Sequence, residues 1–332
     1  IREKLKMPVA ILLDTKGPEI RLGVFEKPAQ IVQGQEFIIT TRDVIGTNQI
    51  CSISYKNIAA EIKPKSRILI NDGLLELQVI DILNDTDIEC VAVNSGTLSS
   101  RKGVNIPGLR VNLPYMSEKD ISDIEFGIEN DVDFIAASFT QRADDIIQIR
   151  KLLEKHKSKI GIIAKIENQE GVDAIDKILE VADGIMVARG DLGVEIKPEN
   201  IPLVQKTLIQ KTLQAGKPCI TATQMLDSMT YNLRPTRAEV TDVANAILDG
   251  SSAIMLSGET ASGKYPIESV KMMYNIAIKT EENLDYKNML LEKSMAREMN
   301  ITNAISHATC TTANDIGAKA IITATESGYT AK

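Results

Sequence analysis

The chain has no tryptophan, two histidines and four cysteines. Each shortage removes a class of chemistry. With only His156 and His307, a Ser-His-Asp triad or an H-E-x-x-H zinc site is not expected. His156 stands in the Lys-rich helix end K-H-K-S-K, a solvated setting, and His307 in a C-terminal helical stretch. Cys51, Cys90, Cys219 and Cys310 are scattered and form no C-x-x-C, which argues against a structural zinc or a disulfide framework and for a reducing, cytoplasmic setting. No apolar run approaches the roughly 20 residues of a membrane span. The net charge is −7 and the pI about 5.2, so neither nucleic acid nor an anionic membrane is an expected partner. The opening I-R-E-K-L-K-M-P does not read as a signal peptide. Chemistry is left to Lys, Arg, Asp, Glu and Thr.

What the chain does have is length and rhythm. Its 332 residues, 43% hydrophobic and 25% charged, suffice for two or more cores. Short apolar runs predict strands at 9–13, 133–139, 161–166, 184–188, 218–223 and 252–256. Helical spacing fills 117–130, 143–155, 169–182, 203–215 and 237–249, with a further helix over 271–280. Gly216 and Gly250 stand where helix-ending glycines belong, and Ser117 to Asp120 has capping-box spacing. Strand and helix alternating every 25–35 residues or so is the (β/α)8, or TIM-barrel, pattern. Six strands are counted where closure takes eight, so the first two are expected before residue 1. Residues 18–114 instead alternate in the manner of β-strands, with Asn71-Asp72-Gly73 as a hairpin turn. They read as a small β-barrel or sandwich inserted into the α/β domain. Their Gly/Ser-rich arm, N-S-G-T-L-S-S-R-K-G-V-N-I-P-G, suits a lid that carries Arg101 and Lys102. A helix at 301–316 and a strand at 318–324 look like the opening of another α/β domain. The expected division is thus 1–17 with 115–284 as the catalytic barrel, 18–114 as the insert, and 285–332 as the start of a regulatory domain.

The stretch from Gly161 to Glu195 organises the rest. It is a β-α-β unit with polar residues at the C-terminal ends of both strands, the edge where parallel α/β sheets place their chemistry. Lys165 and Glu167 are two apart and share one side of a strand. A lysine inside an apolar strand is expensive to bury without a purpose. Asp191 follows the next strand beside Gly190. Other strand ends carry Asp14-Thr15, Ser138, Thr223 and Ser257 with Glu259. Two carboxylates with oxygen donors suit Mg²⁺ or Mn²⁺. The turn after Arg189 could bind a carboxylate or phosphate through its N–H groups. Arg189-Gly190-Asp191 spells an adhesion tripeptide, but it follows a buried strand. Gly258 to Lys264 fits G-x-x-x-x-G-K, yet Tyr265 replaces the metal-holding Ser or Thr of a P-loop.

Those residues lie in motifs that resemble the pyruvate kinase family. I-I-A-K-I-E-N resembles its active-site lysine signature. L-D-T-K-G-P-E-I-R, K-G-V-N-I-P-G, M-V-A-R-G-D-L-G-V-E, T-A-T-Q-M-L-D-S-M and M-L-S-G-E-T-A-S-G-K-Y-P match family motifs in order. The resemblance covers essentially the whole chain. It implies Mg²⁺- and K⁺-dependent phosphoryl transfer from phosphoenolpyruvate to ADP, giving pyruvate and ATP in the last step of glycolysis, by a cytoplasmic homotetramer. It further implies Lys165 and Thr223 as catalytic residues, and Lys165, Gly190, Asp191 and Thr223 as substrate contacts. Arg21 and Lys102 match nucleotide-phosphate contacts, Glu167 and Asp191 the Mg²⁺ ligands, and Asp14 and Thr15 two K⁺ ligands. Glu19 matches the glutamate that accompanies K⁺ dependence.

The chain departs from the family pattern in places. The portion that would carry a substrate-phosphate arginine and the other K⁺ ligands is not in it. At the far end, Glu326 lies where sugar-phosphate-regulated relatives begin their effector site. Gln141-Arg142 replaces a common Arg-Lys. Two rival readings remain. One is an inactive fragment; the other is a different Mg²⁺-dependent barrel enzyme of pyruvate or enolate chemistry, which has no need of the insert.

Overall fold

The computed structural model describes residues 2–109, 113–286, 288–290 and 300–325. Six parallel strands, Leu12–Asp14, Phe134–Ala137, Gly161–Ile166, Gly184–Ala188, Cys219–Ala222 and Ala253–Met255, lie side by side in chain order. Each pairs with the next in parallel register. Their near-continuous apolar runs follow from burial on both faces. Ile162, Ala164, Ile166, Ile185 and Val187 pack outward against helix residues such as Ile149, Ile178 and Leu208. Ile163, Met186 and Ala222 turn inward and meet Leu12, Phe134, Ile220 and Met255 at the centre of the curled sheet. Lys165 and Glu167 share the inward parity of Ile163. Gly184 makes room for this centre, because a Cβ there would stand 2.8 Å from Ile163 Cδ1 and 2.7 Å from the Pro218 carbonyl.

Helices occupy the intervals. Glu118–Glu129 begins with the expected box, in which Ser117 accepts from the Asp120 N–H and Asp120 accepts from the Ser117 N–H. Arg237–Leu248 begins likewise on Thr236 and Glu239. Gly216 and Gly250 take φ of 65° and 102°, as helix-ending residues do. Several expectations change. The strand expected at 9–13 is Leu12–Asp14, and the one expected at 133–139 is Phe134–Ala137. The single helix over 169–182 is two, Gln169–Asp173 and Ile175–Val181, because Ala174 leaves helical geometry at ψ 5°. The helix over 271–280 starts earlier, at Pro266, where proline's missing N–H costs nothing. No strand forms over 318–324; Ile322 is 95% exposed, and a strand without a partner gains no ladder. Glu326 lies outside the described residues. His156 is not simply solvated, since its Nε2 stands 3.4 Å from Glu125 Oε1. The four thiols are free, and Cys51, Cys90 and Cys219 are buried. No helix among the described residues is long and apolar enough to cross a membrane.

The inserted segment builds a separate core around Phe37, Tyr55, Ile68, Leu77 and Ile88. Its seven-stranded sheet is antiparallel except for Glu36–Thr40 with Ile50–Ser52. The outermost strand regions meet through a Leu22–Ile53 bridge, and Gly23 N–H donates to the Ser52 carbonyl at 2.8 Å. Asn71, Asp72 and Gly73, at φ 55°, 57° and 79°, turn Arg67–Ile70 into Leu75–Ile82. That is the left-handed geometry of a type I′ hairpin.

Candidate active site

At the C-terminal ends of the parallel strands, the Lys165 ammonium is held on several sides. Its Nζ lies 3.0 Å from Asp14 Oδ1 and 2.9 Å from Ser138 Oγ, and 3.1 Å from Glu167 Oε1. Burial alone would lower its pKa, but Glu167 and Asp14 outweigh it and hold the charge above the usual lysine range. Glu167 is 1% exposed and accepts from the Phe139 N–H at 2.5 Å. Burial pushes its carboxyl up to about 7, with Lys165 opposing the rise and Asp191 adding to it. Thr15 braces the same corner: its Oγ1 donates to the Ala136 carbonyl and accepts from the Ser138 N–H. Ser138 Oγ in turn donates to the Thr15 carbonyl at 2.7 Å. Lys165, Glu167, Asp14 and Thr15 therefore form one connected cluster, with Ser138 at its hub.

A second group sits on the next two strand ends. Arg189–Glu195 is a short helix directly after strand Gly184–Ala188. Its Gly190 N–H donates to Thr223 Oγ1 at 2.7 Å, and that hydroxyl donates to the Ala222 carbonyl. Thr223 and Gln224 lie at φ 69° and 52°, a left-handed pair that costs non-glycine residues energy. Arg189 clamps this backbone. Its Nη2 donates to the Thr223 carbonyl at 2.6 Å and its Nη1 to Asp242 at 2.7 and 2.8 Å. This guanidinium is turned inward, 10% exposed, and is no adhesion signal. Burial pushes the Asp191 carboxyl up; Lys165 counters it, while Asp72 and Glu19 add to it. The two groups thus sense each other electrostatically.

Arg21 and Lys102 come from the insert. They line, with Asp191, Phe139 and Glu195, a cleft of about 630 Å³ between insert and barrel. Arg21 Nε donates to Glu19 Oε2 at 2.7 Å and its Nη1 to the Arg101 carbonyl. No hydrogen bond joins either cation to the Lys165 cluster among the described residues. Arg142, from the Gln141-Arg142 pair, lines the same cleft. The G-x-x-x-x-G-K stretch is structural: Glu259 is 1% exposed and accepts from the Leu226 and Ser257 N–H groups. Ser257 Oγ is buried with no hydrogen-bond partner among the described residues.

Sequence reasoning did not single out Ser138 as the hub, Arg189 as the clamp, or the pair Asn105 and Glu195. Ser138 and Arg189 were legible as polar residues at strand ends. Asn105 and Glu195 lie in two of the family-like motifs, but nothing in the sequence pairs residues so far apart.

The residues suit a divalent cation. Glu167 and Asp191 are two largely buried carboxylates that repel one another, and a hard cation between them relieves both burdens. Among the described residues no group of three or more His, Cys, Asp or Glu side chains is arranged to hold a metal. Two carboxylates with the remaining positions left to water and ligand oxygens is the Mg²⁺ pattern. Asp14 and Thr15 do not by themselves make a cage for K⁺, since Lys165 and Ser138 already engage both.

A sequence model of the pyruvate kinase barrel domain matches residues 1–270, and one of the pyruvate kinase alpha/beta domain matches residues 303–332. Pyruvate kinase of Bacillus licheniformis is 55% identical over 332 residues, which cover 99% of this chain and 57% of that protein. Pyruvate kinase of Staphylococcus aureus strain MRSA252 is 52% identical over 334 residues, covering 100% and 57%. A crystal structure of a pyruvate kinase from Cryptosporidium parvum superposes with a TM-score of 0.92 at 44% identity, covering 99% of this chain and 69% of that one. The chain spans a little over half the length of the curated relatives it matches.

Proposed function

This chain belongs to the pyruvate kinase family, and on that basis we propose that it carries the central part of a site for phosphoryl transfer from phosphoenolpyruvate to ADP. The products are pyruvate and ATP, and the setting we infer is a cytoplasmic homotetramer. The observation that carries the reading is Lys165, a buried ammonium fixed by Asp14, Ser138 and Glu167 beside a cleft lined by the insert cations Arg21 and Lys102. That cleft favours a nucleotide-using enzyme over other barrel enzymes of enolate chemistry, which have no use for it.

In the reaction, an oxygen of the ADP β-phosphate forms a bond to the phosphorus while the enol C–O–P bridge breaks, and the enolate left behind takes a proton at carbon. Lys165 stabilises negative charge on the phosphoryl oxygens and the enolate as it develops. Because its partners already fix it, little reorganisation is needed at that moment. Glu167 and Asp191 would hold the Mg²⁺, which supplies charge neutralisation to the phosphoryl oxygens when bound. The Gly190–Asp191 turn and Thr223 orient the carboxylate end of phosphoenolpyruvate. Arg21 and Lys102 take the nucleotide phosphates. Thr223 and the unpartnered Ser257 hydroxyl, on adjacent strand ends, are suited to hold a water on the protonation side.

A lactate-dehydrogenase-coupled assay of the whole protein, with Mg²⁺ and with or without K⁺, tests the reading. Pyruvate formation that requires both phosphoenolpyruvate and ADP is the expected result. Its absence under all these conditions rejects the proposal.

A further inference from the structure

Three points of the inserted domain reach one short helix of the barrel, Arg189–Glu195. Asn105 Nδ2 donates to Glu195 Oε1 at 2.9 Å. At the hairpin turn, a Cβ on Gly73 would stand 3.8 Å from Val194 Cγ1. Asp72, on the same turn, lines with Asp191 both the large cleft and a neighbouring one. The helix so touched carries Gly190 and Asp191. Asn105 ends the strand Gly103–Asn105, which pairs with Ile20–Arg21 and follows directly on Lys102. Whatever fixes Asn105 therefore fixes where Arg21 and Lys102 stand relative to Asp191.

Glu195 needs explaining on its own account. Burial pushes its carboxyl up, and the Asn105 amide pulls it back. Among the described residues Asn105 is the only side chain that donates to it. Half-burying a carboxylate with no cation paired to it among the described residues is unfavourable. A carboxylate does offer a directional contact that can be made and broken. One hydrogen bond to a charged group is strong enough to bias a domain position and weak enough to release within turnover.

We propose that the Asn105–Glu195 hydrogen bond is the latch that holds the insert against the helix bearing Gly190 and Asp191. Asn105 and Glu195 are positioning residues for the phosphate-binding cations Arg21 and Lys102. The inference rests on the nucleotide-phosphate reading of those two cations. It predicts that loss of the latch weakens use of ADP more than use of phosphoenolpyruvate.

The test uses the whole protein with Asn105→Ala, Glu195→Ala, both together, and Glu195→Gln, which keeps an accepting oxygen. Either alanine variant is expected to raise the KM for ADP about tenfold, in line with one charge-assisted hydrogen bond, with the KM for phosphoenolpyruvate within about twofold. The double variant is expected to be no worse than either single, Glu195→Gln to recover most of the loss, and thermal melting to stay unchanged. Additive losses, an unchanged KM for ADP, or a melting drop that parallels the kinetic loss would overturn the latch. Amide exchange across 189–196 and 100–106 gives a readout independent of turnover. Faster exchange in both segments of Asn105→Ala supports the latch, and wild-type exchange refutes it. Should the wild-type protein make no pyruvate, the functional reading fails while the exchange comparison still decides the latch.

Discussion

Replacing Arg189 by methionine separates the clamp from the chemistry it supports. The side chain is 10% exposed and its partner Asp242 36%. Removing one member of a fully buried pair costs about 3–5 kcal/mol; Asp242 keeps some water, so about 2–3 kcal/mol is the better figure here. The Thr223 carbonyl also loses a charged donor at 2.6 Å, about 1 kcal/mol more. Against this, Thr223 can relax from φ 69°, which returns the about 1–2 kcal/mol that the clamp had been overriding at that residue. The net expectation is a loss of about 2 kcal/mol, or a fall of roughly 4–8 °C in the barrel's melting temperature. Relaxation of residue 223 also withdraws Oγ1 from the Gly190 N–H, so kcat/KM for phosphoenolpyruvate should fall by about a hundredfold or more.

Circular-dichroism melts and the coupled assay read the two losses separately. Adding Asp242→Asn to Arg189→Met removes the stranded carboxylate. It should recover part of the stability and none of the activity, because the Thr223 carbonyl is still unclamped. Arg189→Lys keeps the charge but not the fork that reaches Asp242 and Thr223 together, so it should resemble the wild type in melting more than in turnover. Wild-type melting and turnover in Arg189→Met would refute the clamp argument outright.

Lys165→Met should leave a folded protein whose coupled-assay rate is down by about a thousandfold or more, since on the proposed reading the charge lost is the one that stabilises the developing oxyanion; a rate within tenfold of wild type counts against that role. Gly17→Ala combines a strained φ of 70° with a Cβ placed 2.9 Å from the Ser138 carbonyl; a loss of about 1–3 kcal/mol is expected in denaturant titrations, together with reduced activity, because Ser138 is the hub beside Lys165. Asp120 gives a pH signature. Burial alone would raise its pKa, but hydrogen bonds from Ser117, Gly17 and Lys16 outweigh it and hold the carboxyl below the usual range. A depressed folded-state pKa contributes stability that is full above the unfolded value near 4 and is lost as pH falls through the folded one. Asp120→Asn should therefore melt lower than wild type at pH 7, by about 1–3 kcal/mol of stability, with the gap narrowing as pH falls below the unfolded value near 4; a gap that does not narrow on acidification contradicts the assignment.

The chain's periodicity exposed the parallel strands well, because a strand buried on both faces leaves an apolar run that little else imitates. Gly161–Ile166 and Gly184–Ala188 have the bounds expected from their sequence. The break at Ala174 was hidden, since alanine is a strong helix former and only packing displaces it. The C-terminal strand was misread for a related reason: A-I-I-T-A has strand composition, but a ladder depends on a neighbour that composition cannot supply. Within the site, Lys165 and Glu167 were legible because their two-residue spacing on a strand dictates a common face. Asn105 and Glu195 were not, because their contact depends on how one domain lies on another. The roles of Arg21 and Lys102 entered through family resemblance, not through pattern.

On the proposed reading, the division of charge between barrel and insert bears on how the barrel mouth would meet anionic substrates. Asp14, Glu167 and Asp191 stand around a single ammonium, Lys165, so acidic groups outnumber the cation in the barrel's own cluster. Such a mouth would attract a divalent cation and repel phosphate-bearing anions. Arg142 of the barrel also lines the cleft, but the two cations proposed for the nucleotide phosphates, Arg21 and Lys102, are on the insert, and Arg21 is held in place by Glu19 at 2.7 Å. Keeping them there means the anionic ligands meet full neutralisation only when the insert lies against the barrel, where water is also excluded. A mouth that carried every cation itself would bind nucleotide phosphates tightly with the cleft open, and so would spend its binding energy before the phosphoryl group was aligned.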